Sequence, residues 1–403
     1  MGDFHQNGPV ATLHNITKRP TEYLEAELIE FAKARPMTLI LPSLYSELET
    51  DALAHIVDEL RHVPYLSEIV IGLDRADPDQ WRHAREYFSV LPQHHRILWN
   101  DGPRLLELDA ELAEQRLAPR ERGKGRNVWY CMGYTLVSGR GQAVALHDCD
   151  IKTYDRGMLA RLFYPIANPA FSFQFSKGYY ARVAGGALKG RVTRLFVTPL
   201  IRALKISVGN LAYLDYLDSF RYPLAGEFAV RADVLSDLRI PSDWGLEVGT
   251  LSELYRNFAT SRICQADILD IYDHKHQALS PEDADAGLAK MSTDIAKVLF
   301  RKLAIEGQVL TSETFRTIKA SYYRVALDLI EAYSADAVIN GLTLDRHAEE
   351  RAVEVFTESI MRAGEHYLNQ PMEVPFIPSW NRVRSALPSL MPRLHAAVEA
   401  DNA

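Results

Sequence analysis

The sequence predicts an α/β fold, a mixed sheet flanked by helices with a helical C-terminal extension, and three observations carry that prediction. Short apolar runs alternate with amphipathic helical stretches from Met37 to Asp150, the alternation that builds a parallel sheet with crossover helices. Further strand-like runs continue to about Gln277 and make the sheet mixed at one edge. From Pro281 onward the pattern turns helical, with apolar residues at spacings of 3 and 4, the period of helices packed by one face.

In chain order, Met37–Leu41, Glu68–Leu73, Arg96–Trp99 and Gln142–His147 are short apolar runs that read as buried strands. Helical stretches stand between and beside them at Glu49–Arg61, Pro78–Phe88 and Gly125–Ser138. Phe171–Phe175, Phe228–Val230 and Arg262–Ile271 are the later strands. The helical region comprises Asp283–Glu306, Thr311–Ser334, Arg346–Tyr367 and Trp380–Glu399. The expected organisation is an N-terminal segment 1–35, an α/β domain 36–280 whose halves are 36–150 and 151–280, and a helical region 281–403. So many amphipathic faces need a partner, either the core or a second subunit.

The composition narrows the function classes. At 403 residues, 47% hydrophobic and 24% charged, the chain is ordinary globular material with room for one large core and a smaller second unit. A net charge of -8 argues against a nucleic-acid partner, which needs a basic footprint, so an anionic ligand must meet local cations. Cys131, Cys149 and Cys264 are odd in number and widely spaced, which suits reduced thiols in a cytosol better than a disulfide framework. Phe4–Pro20 has no basic stretch followed by an apolar one, and no run approaches the roughly 18 apolar residues of a membrane span. A cytoplasmic protein without a membrane partner is expected.

The motif with the most chemical content is Asp148-Cys149-Asp150, two carboxylates closing the run Ala143–His147. Open α/β sheets bind ligands at such strand ends, and hard carboxylate oxygens suit magnesium or manganese bridging to a diphosphate. Spacing alone means little, because Asp77-Pro78-Asp79 in a proline turn and Asp283-Ala284-Asp285 at a helix start share it. The first strand ends in Pro42-Ser43-Leu44-Tyr45-Ser46-Glu47, where backbone groups and Glu47 could hold a base or ribose. The plainer reading is a connecting loop with Ser46 as helix cap. Asp74 ends the second strand and projects from the same sheet edge, or is simply a turn aspartate.

Arg122-Gly123-Lys124-Gly125-Arg126 precedes a helix, where small residues let backbone N–H groups approach phosphate and Lys124 supplies charge. It lacks the spacing of a nucleoside-triphosphatase loop and otherwise reads as a flexible basic loop. Tyr272-Asp273-His274-Lys275-His276 follows the last strand and could add an imidazole to a metal, a mixed donor set that leans toward manganese. Lys189-Gly190-Arg191-Val192-Thr193-Arg194 holds the groups of a phosphate or carboxylate clamp, or is a basic helix start.

Taken in order, Leu-Pro-Ser-Leu-Tyr-Ser-Glu, Leu-Asp, Gly-Lys-Gly, Asp-Cys-Asp, Gly-Arg-Val-Thr, Pro-Leu-Ala-Gly-Glu-Phe, Gly-Leu-Glu-Val-Gly and His-Lys-His resemble the glucosyl-3-phosphoglycerate synthases and their mannosyl-3-phosphoglycerate relatives. The resemblance spans about residues 37 to 277. It implies a retaining glycosyltransferase of the Rossmann-like GT-A fold, with a nucleotide-sugar half at 36–150 and an acceptor half at 151–280. It implies that Pro42, Ser43, Leu44 and Glu47 line the nucleotide pocket, with Asp74 near the base or ribose and Lys124 near it or the diphosphate. Asp148 would face the donor ribose or sugar, and Asp150 and His274 would hold a divalent cation, Mg2+ or Mn2+. Gly190, Arg191 and Thr193 would clamp the acceptor phosphate, with His276 a further acceptor contact. Leu224 would lie beside the transferred sugar and Glu247 in the donor-sugar site. The helical region would form a homodimer.

Two segments depart from the commoner pattern. The first motif more often reads Pro-Ala-Leu-Asn-Glu-Glu, so Tyr45 and Ser46 replace polar residues, and Tyr272–His276 stands where an arginine–histidine segment is common. The implied reaction is glucose transfer from UDP-glucose to the 2-hydroxyl of 3-phosphoglycerate. Mannose transfer from GDP-mannose, nucleotidyl transfer with release of pyrophosphate, and a non-catalytic nucleotide-sugar-binding scaffold remain as alternatives.

Overall fold

The computed structural model describes residues 6, 8–274, 287–371 and 376–403. Its sheet has nine strands: β1 (Ala11–Leu13), β2 (Met37–Leu44), β3 (Leu66–Asp74), β4 (His95–Trp99), β5 (Ala143–Leu146), β6 (Phe175–Ala184), β7 (Ala187–Leu188), β8 (Phe228–Arg231) and β9 (Ile263–Tyr272). The spatial order is β1-β9-β6-β8-β5-β2-β3-β4, and β7 forms a hairpin with β6. Along this path every pairing is parallel except those of β8, which runs antiparallel to β5 and β6. The mixed character expected at an edge therefore lies inside the sheet, a placement that apolar runs alone do not encode.

The helices are α1 (Thr21–Ala32), α2 (Asp51–Arg61), α3 (Pro78–Phe88), α4 (Pro103–Glu114), α5 (Lys124–Ser138), α6 (Arg156–Ala167), α7 (Thr198–Val208), α8 (Ala212–Asp218), α9 (Ala232–Leu235), α10 (Leu246–Asn257), α11 (Gly287–Ile305), α12 (Ser312–Ile339), α13 (Arg346–Asn369), α14 (Trp380–Ala386) and α15 (Leu390–Asn402). Side chains alternate across the sheet with period two. Ile40, Val70, Leu98, Val144 and Val230 enter one apolar cluster with α4, α5, α7 and the C-terminal helices. Leu39, Leu41, Ile69, Ile71, Ala145 and Ala229 enter a second with α1, α2, α3 and α6. Burial on both faces is why these strands are unbroken apolar runs in the sequence. All three cysteines are buried and unbonded, and among the described residues no helix is long and apolar enough to cross a membrane.

Several boundaries differ from the sequence expectations. β2 runs on through Pro42, Ser43 and Leu44, which pair with Gly72, Leu73 and Asp74 instead of turning. β5 stops at the Ile40–Leu146 pair, so Pro42 sits where β2 has one neighbour and its missing N–H is tolerated. A 3-10 turn Tyr45–Glu49 follows, and α2 is capped by Thr50, whose Oγ1 accepts the Leu53 N–H at 3.4 Å, not by Ser46. Phe171 to Gln174 are not strand; β6 starts at Phe175. Trp380–Glu399 is two helices, because Pro388 drives Leu387 out of helical geometry (φ -133°, ψ 78°). The Asp283–Asp285 triplet lies outside the described residues.

α15 returns to the far end of the sheet. Arg96 holds Glu399 with Nε at 3.0 Å and Nη2 at 2.9 Å, and the Tyr134 hydroxyl donates to the same carboxylate at 2.7 Å. On the open side of β4 the Asn402 carboxamide accepts the Ile97 N–H at 3.0 Å and donates to the Ile97 carbonyl at 2.8 Å, as a neighbouring strand's peptide would. The hydrogen bonds from Arg96, with Tyr134 adding to them, bring the Glu399 carboxyl down to about 2. A carboxyl depressed on folding stabilises above its unfolded value of about 4.3 and loses that contribution as pH falls through the folded value. Glu399→Gln should therefore cost about 1 kcal/mol at pH 7, a figure already reduced for solvent screening. Denaturant titrations should show the gap closing between about pH 4.5 and 2; a gap unchanged at pH 2 would contradict the ion pair.

Candidate active site

The chain leaves β2 toward β3 and β4 and then returns to place β5 on the other side of β2. That reversal opens a crevice beyond the C-terminal ends of β2 and β5, the usual ligand position in open sheets. Leu44, Asp74 and the residues after Leu146 all arrive there.

Lys124 begins α5, and its Nζ lies 2.7 Å from Asp148 Oδ1 and 3.2 Å from Glu247 Oε1. Glu247 stands in the first turn of α10, where a helix N-terminus favours an anion. Burial would lower the Lys124 ammonium, but Asp148 and Glu247 hold it well above the ordinary lysine value. Burial pushes Asp148 up, and the charge and hydrogen bond of Lys124 outweigh it, leaving the carboxyl below its usual range. The Lys124 ammonium thus stands between the Asp148 and Glu247 carboxyl groups. Next to it, burial brings the His147 imidazole down to about 3 against the pull of Asp148, so this ring is neutral and not a proton donor.

Asp150 and His274, far apart in the sequence, meet with Oδ2 and Nδ1 at 3.3 Å. The segment after β9 is laid against the one after β5: Ile151 and His274 form an antiparallel bridge, Lys152 N donates to the Asp273 carbonyl at 2.9 Å, and Asp273 N donates to Thr153 Oγ1 at 3.1 Å. A carboxylate oxygen and an imidazole nitrogen suit a divalent metal whose other positions go to ligand oxygens and water. Among the described residues no group of three or more acidic, histidine or cysteine side chains is placed to hold a metal ion, so the pair by itself offers two donors.

The residues expected to line a nucleotide pocket lie at the ends of β2 and β3. Ser43 Oγ donates to the Leu44 carbonyl at 3.0 Å, and Glu47 is buried in the turn beyond. Asp74 accepts from Asn100 Nδ2 at 2.8 Å, and burial raises its carboxyl although Asn100 and Arg126 oppose the rise. Gly125 is explained by packing, since a Cβ there would stand 2.3 Å from the Pro241 carbonyl oxygen. Gly226 is required for the same reason on the opposite wall, where a Cβ would meet Asp148 Oδ2 at 2.4 Å. Leu224, in that wall, packs on the first apolar cluster.

The segment Gly190–Arg194, expected to clamp an acceptor phosphate, follows the β6–β7 hairpin and enters the helical turn Val192–Val197 that leads into α7. Arg191 Nε and Arg194 Nη1 each donate at 2.8 Å to Glu349 of α13, a buried carboxylate that the sequence reading did not single out. Thr193 is buried, and its Oγ1 has no hydrogen-bond partner. His276 lies outside the described residues.

The relatives now decide the family. The chain is 48% identical over 402 residues to the glucosyl-3-phosphoglycerate synthase of Persephonella marina, covering 100% of this chain and 99% of that protein. It is 40% identical over 403 residues to the same enzyme of Methanococcoides burtonii, covering 99% and 98%. The chain belongs to the glucosyl-3-phosphoglycerate synthase family. It is therefore a glycosyltransferase. No protein-family model matches it.

Solved structures agree in fold. The Mycobacterium tuberculosis glucosyl-3-phosphoglycerate synthase bound to Mn2+, UDP and glucosyl-3-phosphoglycerate matches with a TM-score of 0.52 at 21% identity, covering 73% of this chain and 88% of that one. A mannosyl-3-phosphoglycerate synthase from Rubrobacter xylanophilus gives 0.55 at 20% identity, covering 75% and 83%. The fold is GT-A, as the resemblance implied.

Beneath this synthase site lies a layer that sequence reasoning missed. Glu227, fully buried, accepts from Tyr180 Oη at 2.6 Å and Tyr272 Oη at 2.8 Å. Burial, then the charge of Asp148, raises its carboxyl. Lys177 Nζ donates to the Ala225 carbonyl at 2.5 Å, and burial brings this amine down to about 8. The available signal was charge in or beside apolar strands, Lys177 within β6 and Glu227 immediately before β8.

Proposed function

We propose that this chain transfers glucose from UDP-glucose to the 2-hydroxyl of 3-phosphoglycerate, with retention at the anomeric carbon, releasing UDP. The observation that carries the reading is the Asp150–His274 pair beside the Lys124 bridge between Asp148 and Glu247, in a chain 48% identical to a glucosyl-3-phosphoglycerate synthase end to end. The Mycobacterium tuberculosis enzyme, solved with Mn2+, UDP-glucose and phosphoglyceric acid, supports the same ligands here.

In this reading Pro42, Ser43, Leu44, Glu47 and Asp74 hold the nucleoside, and Lys124 adds positive charge near the diphosphate. Asp150 and His274 hold Mg2+ or Mn2+, with Asp148-Cys149-Asp150 acting as the Asp-x-Asp motif. When bound, the cation supplies Lewis-acid stabilisation of the departing diphosphate. Glu247 orients sugar hydroxyls, and the backbone around Leu224 lies beside the sugar. Gly190, Arg191, Thr193 and His276 receive the acceptor.

Retention by double displacement needs a carboxylate free to attack the anomeric carbon. Asp148 and Glu247 are both engaged with Lys124, and Glu227 is buried beneath two tyrosine hydroxyls. We therefore favour attack from the face the diphosphate leaves, with a departing phosphate oxygen taking the acceptor proton. The protein is read as cytoplasmic, and the 281–403 region as the homodimer contact; the exposed Val338 and Ile339 at the end of α12, 76% and 84% accessible, support that contact.

The test is nucleoside diphosphate release from UDP-, GDP- and ADP-glucose and GDP-mannose with Mg2+ or Mn2+, each with and without 3-phosphoglycerate. Release of UDP that requires 3-phosphoglycerate is expected, with an α-linked product by proton NMR. A preference for GDP-mannose would move the chain to mannosyl transfer, and pyrophosphate in place of UDP would replace the reaction class.

A further inference from the structure

Arg182 lies near the end of β6, where its Cα is paired in register with that of Tyr272 on β9. Its guanidinium carbon lies 5.3 Å from the centre of the Tyr272 ring, and Nη1 donates to the Tyr222 hydroxyl at 3.0 Å. Nε is buried with no hydrogen-bond partner. The groups acting on this charge, after burial itself, are the tyrosines Tyr222, Tyr180 and Tyr272. Among the described residues no carboxylate pairs with it, whereas Arg191 and Arg194 share Glu349. A half-buried guanidinium that meets no carboxylate among the described residues is in a place where an anion would be favoured.

Its position says which anion. Lys189 N donates to the Arg182 carbonyl at 2.8 Å, and a Cβ on Gly190 would stand 3.3 Å from the Arg182 side chain, so the residue adjoins the clamp segment. On its other side it packs over Tyr272, two residues before His274. It thus stands between the clamp and the cation-binding pair. In 3-phosphoglycerate the attacking 2-hydroxyl is on the carbon next to the carboxylate, while the phosphate is carried by the carbon beyond. The cation nearer the reaction centre then matches the carboxylate, and the more distant Arg191 and Thr193 match the phosphate. Resting on the proposed reaction, we infer that Arg182 is an acceptor-binding residue that recognises the carboxylate of 3-phosphoglycerate. A planar fork with two donors suits that group, and its aromatic surroundings hold the fork in place.

The test compares 3-phosphoglycerate with glycerol 3-phosphate, which keeps the 2-hydroxyl and the phosphate but has no carboxylate. Arg182→Met should raise KM for 3-phosphoglycerate roughly 10- to 100-fold. It should leave KM for UDP-glucose and kcat/KM for glycerol 3-phosphate within about two-fold of the unaltered enzyme. Arg182→Lys, which keeps the charge and loses the fork, should show a smaller loss confined to the same acceptor, and it decides the matter if the methionine variant melts early. Equal losses with both acceptors, or no loss, would overturn the assignment. So would an unaltered enzyme indifferent to the carboxylate, even if neither variant folds. Absence of any 3-phosphoglycerate-dependent UDP release by the unaltered protein would instead sink the proposed reaction.

Discussion

Replacing Asp150 with alanine is expected to lower kcat/KM by roughly 10³-fold, the worth of several kcal/mol of charge stabilisation on the leaving diphosphate. Asp150 is half-buried and its Oδ2 faces His274 Nδ1 at 3.3 Å, so the substitution removes one of two donors and leaves the imidazole alone. A carboxylate at the rim of the crevice contributes little packing, so the melting temperature should stay close to that of the unaltered protein. The informative pair of measurements is steady-state turnover over a wide Mn2+ range and Mn2+ binding in the presence of UDP by calorimetry. Lost turnover with weakened Mn2+ binding is the expected result. Full turnover with undiminished binding would remove Asp150 from the metal site.

Lys124→Met should act on both stability and catalysis. It leaves Asp148 and Glu247 side by side without the ammonium that separates them. Breaking a buried pair costs about 3–5 kcal/mol, and partial exposure of these side chains reduces that to about 1–3 kcal/mol. The pH dependence follows from two opposite shifts. Lys124 is raised, so its contribution is complete below its unfolded value of about 10.4 and is lost only as pH rises through the higher folded value. Asp148 is lowered, so its contribution is present above about 3.9 and is lost as pH falls through the lower folded value. Without Lys124 only burial acts strongly on Asp148 and raises its carboxyl, so the destabilisation should be level from neutral pH to about pH 10 and shrink progressively into the acid range as Asp148 protonates in the variant. Urea titrations across that range test this, and a penalty that grew as the pH fell below 4 would contradict the assigned charges. On the proposed role of Lys124, donor KM should rise as well.

The sequence made the strand ends legible because burial on both faces leaves continuous apolar runs, and polar residues at their ends stand out. Asp74 and Asp148 were found in that way. Asp150 and His274 were individually visible, but their pairing depends on the bridge between Ile151 and His274, which no local pattern encodes. β8 was recognised as a strand, yet its insertion between β5 and β6 is a property of topology. Glu349 could not be linked to Arg191 and Arg194 in advance, since α13 reads as any amphipathic helix and the contact spans more than 150 residues. Ser46 was chosen as a helix cap on residue type, but Thr50 took the role because a 3-10 turn intervenes. Glu227 and Lys177 were obscured by their strands, where a buried charge is tolerated only through partners supplied from elsewhere in the fold.

The Asn402 carboxamide that completes the peptide pairing of β4 sets an order on folding. Strands β2 to β5 can assemble as soon as they are synthesised, but the carboxamide that pairs with their outer edge lies 305 residues beyond Ile97. During translation that part of the sheet therefore passes through a long interval with an unprotected strand, open to pairing with another nascent chain. The same exposure would follow β2 to β5 into any fragment that lacks α15, an open strand edge of the kind that favours pairing between chains.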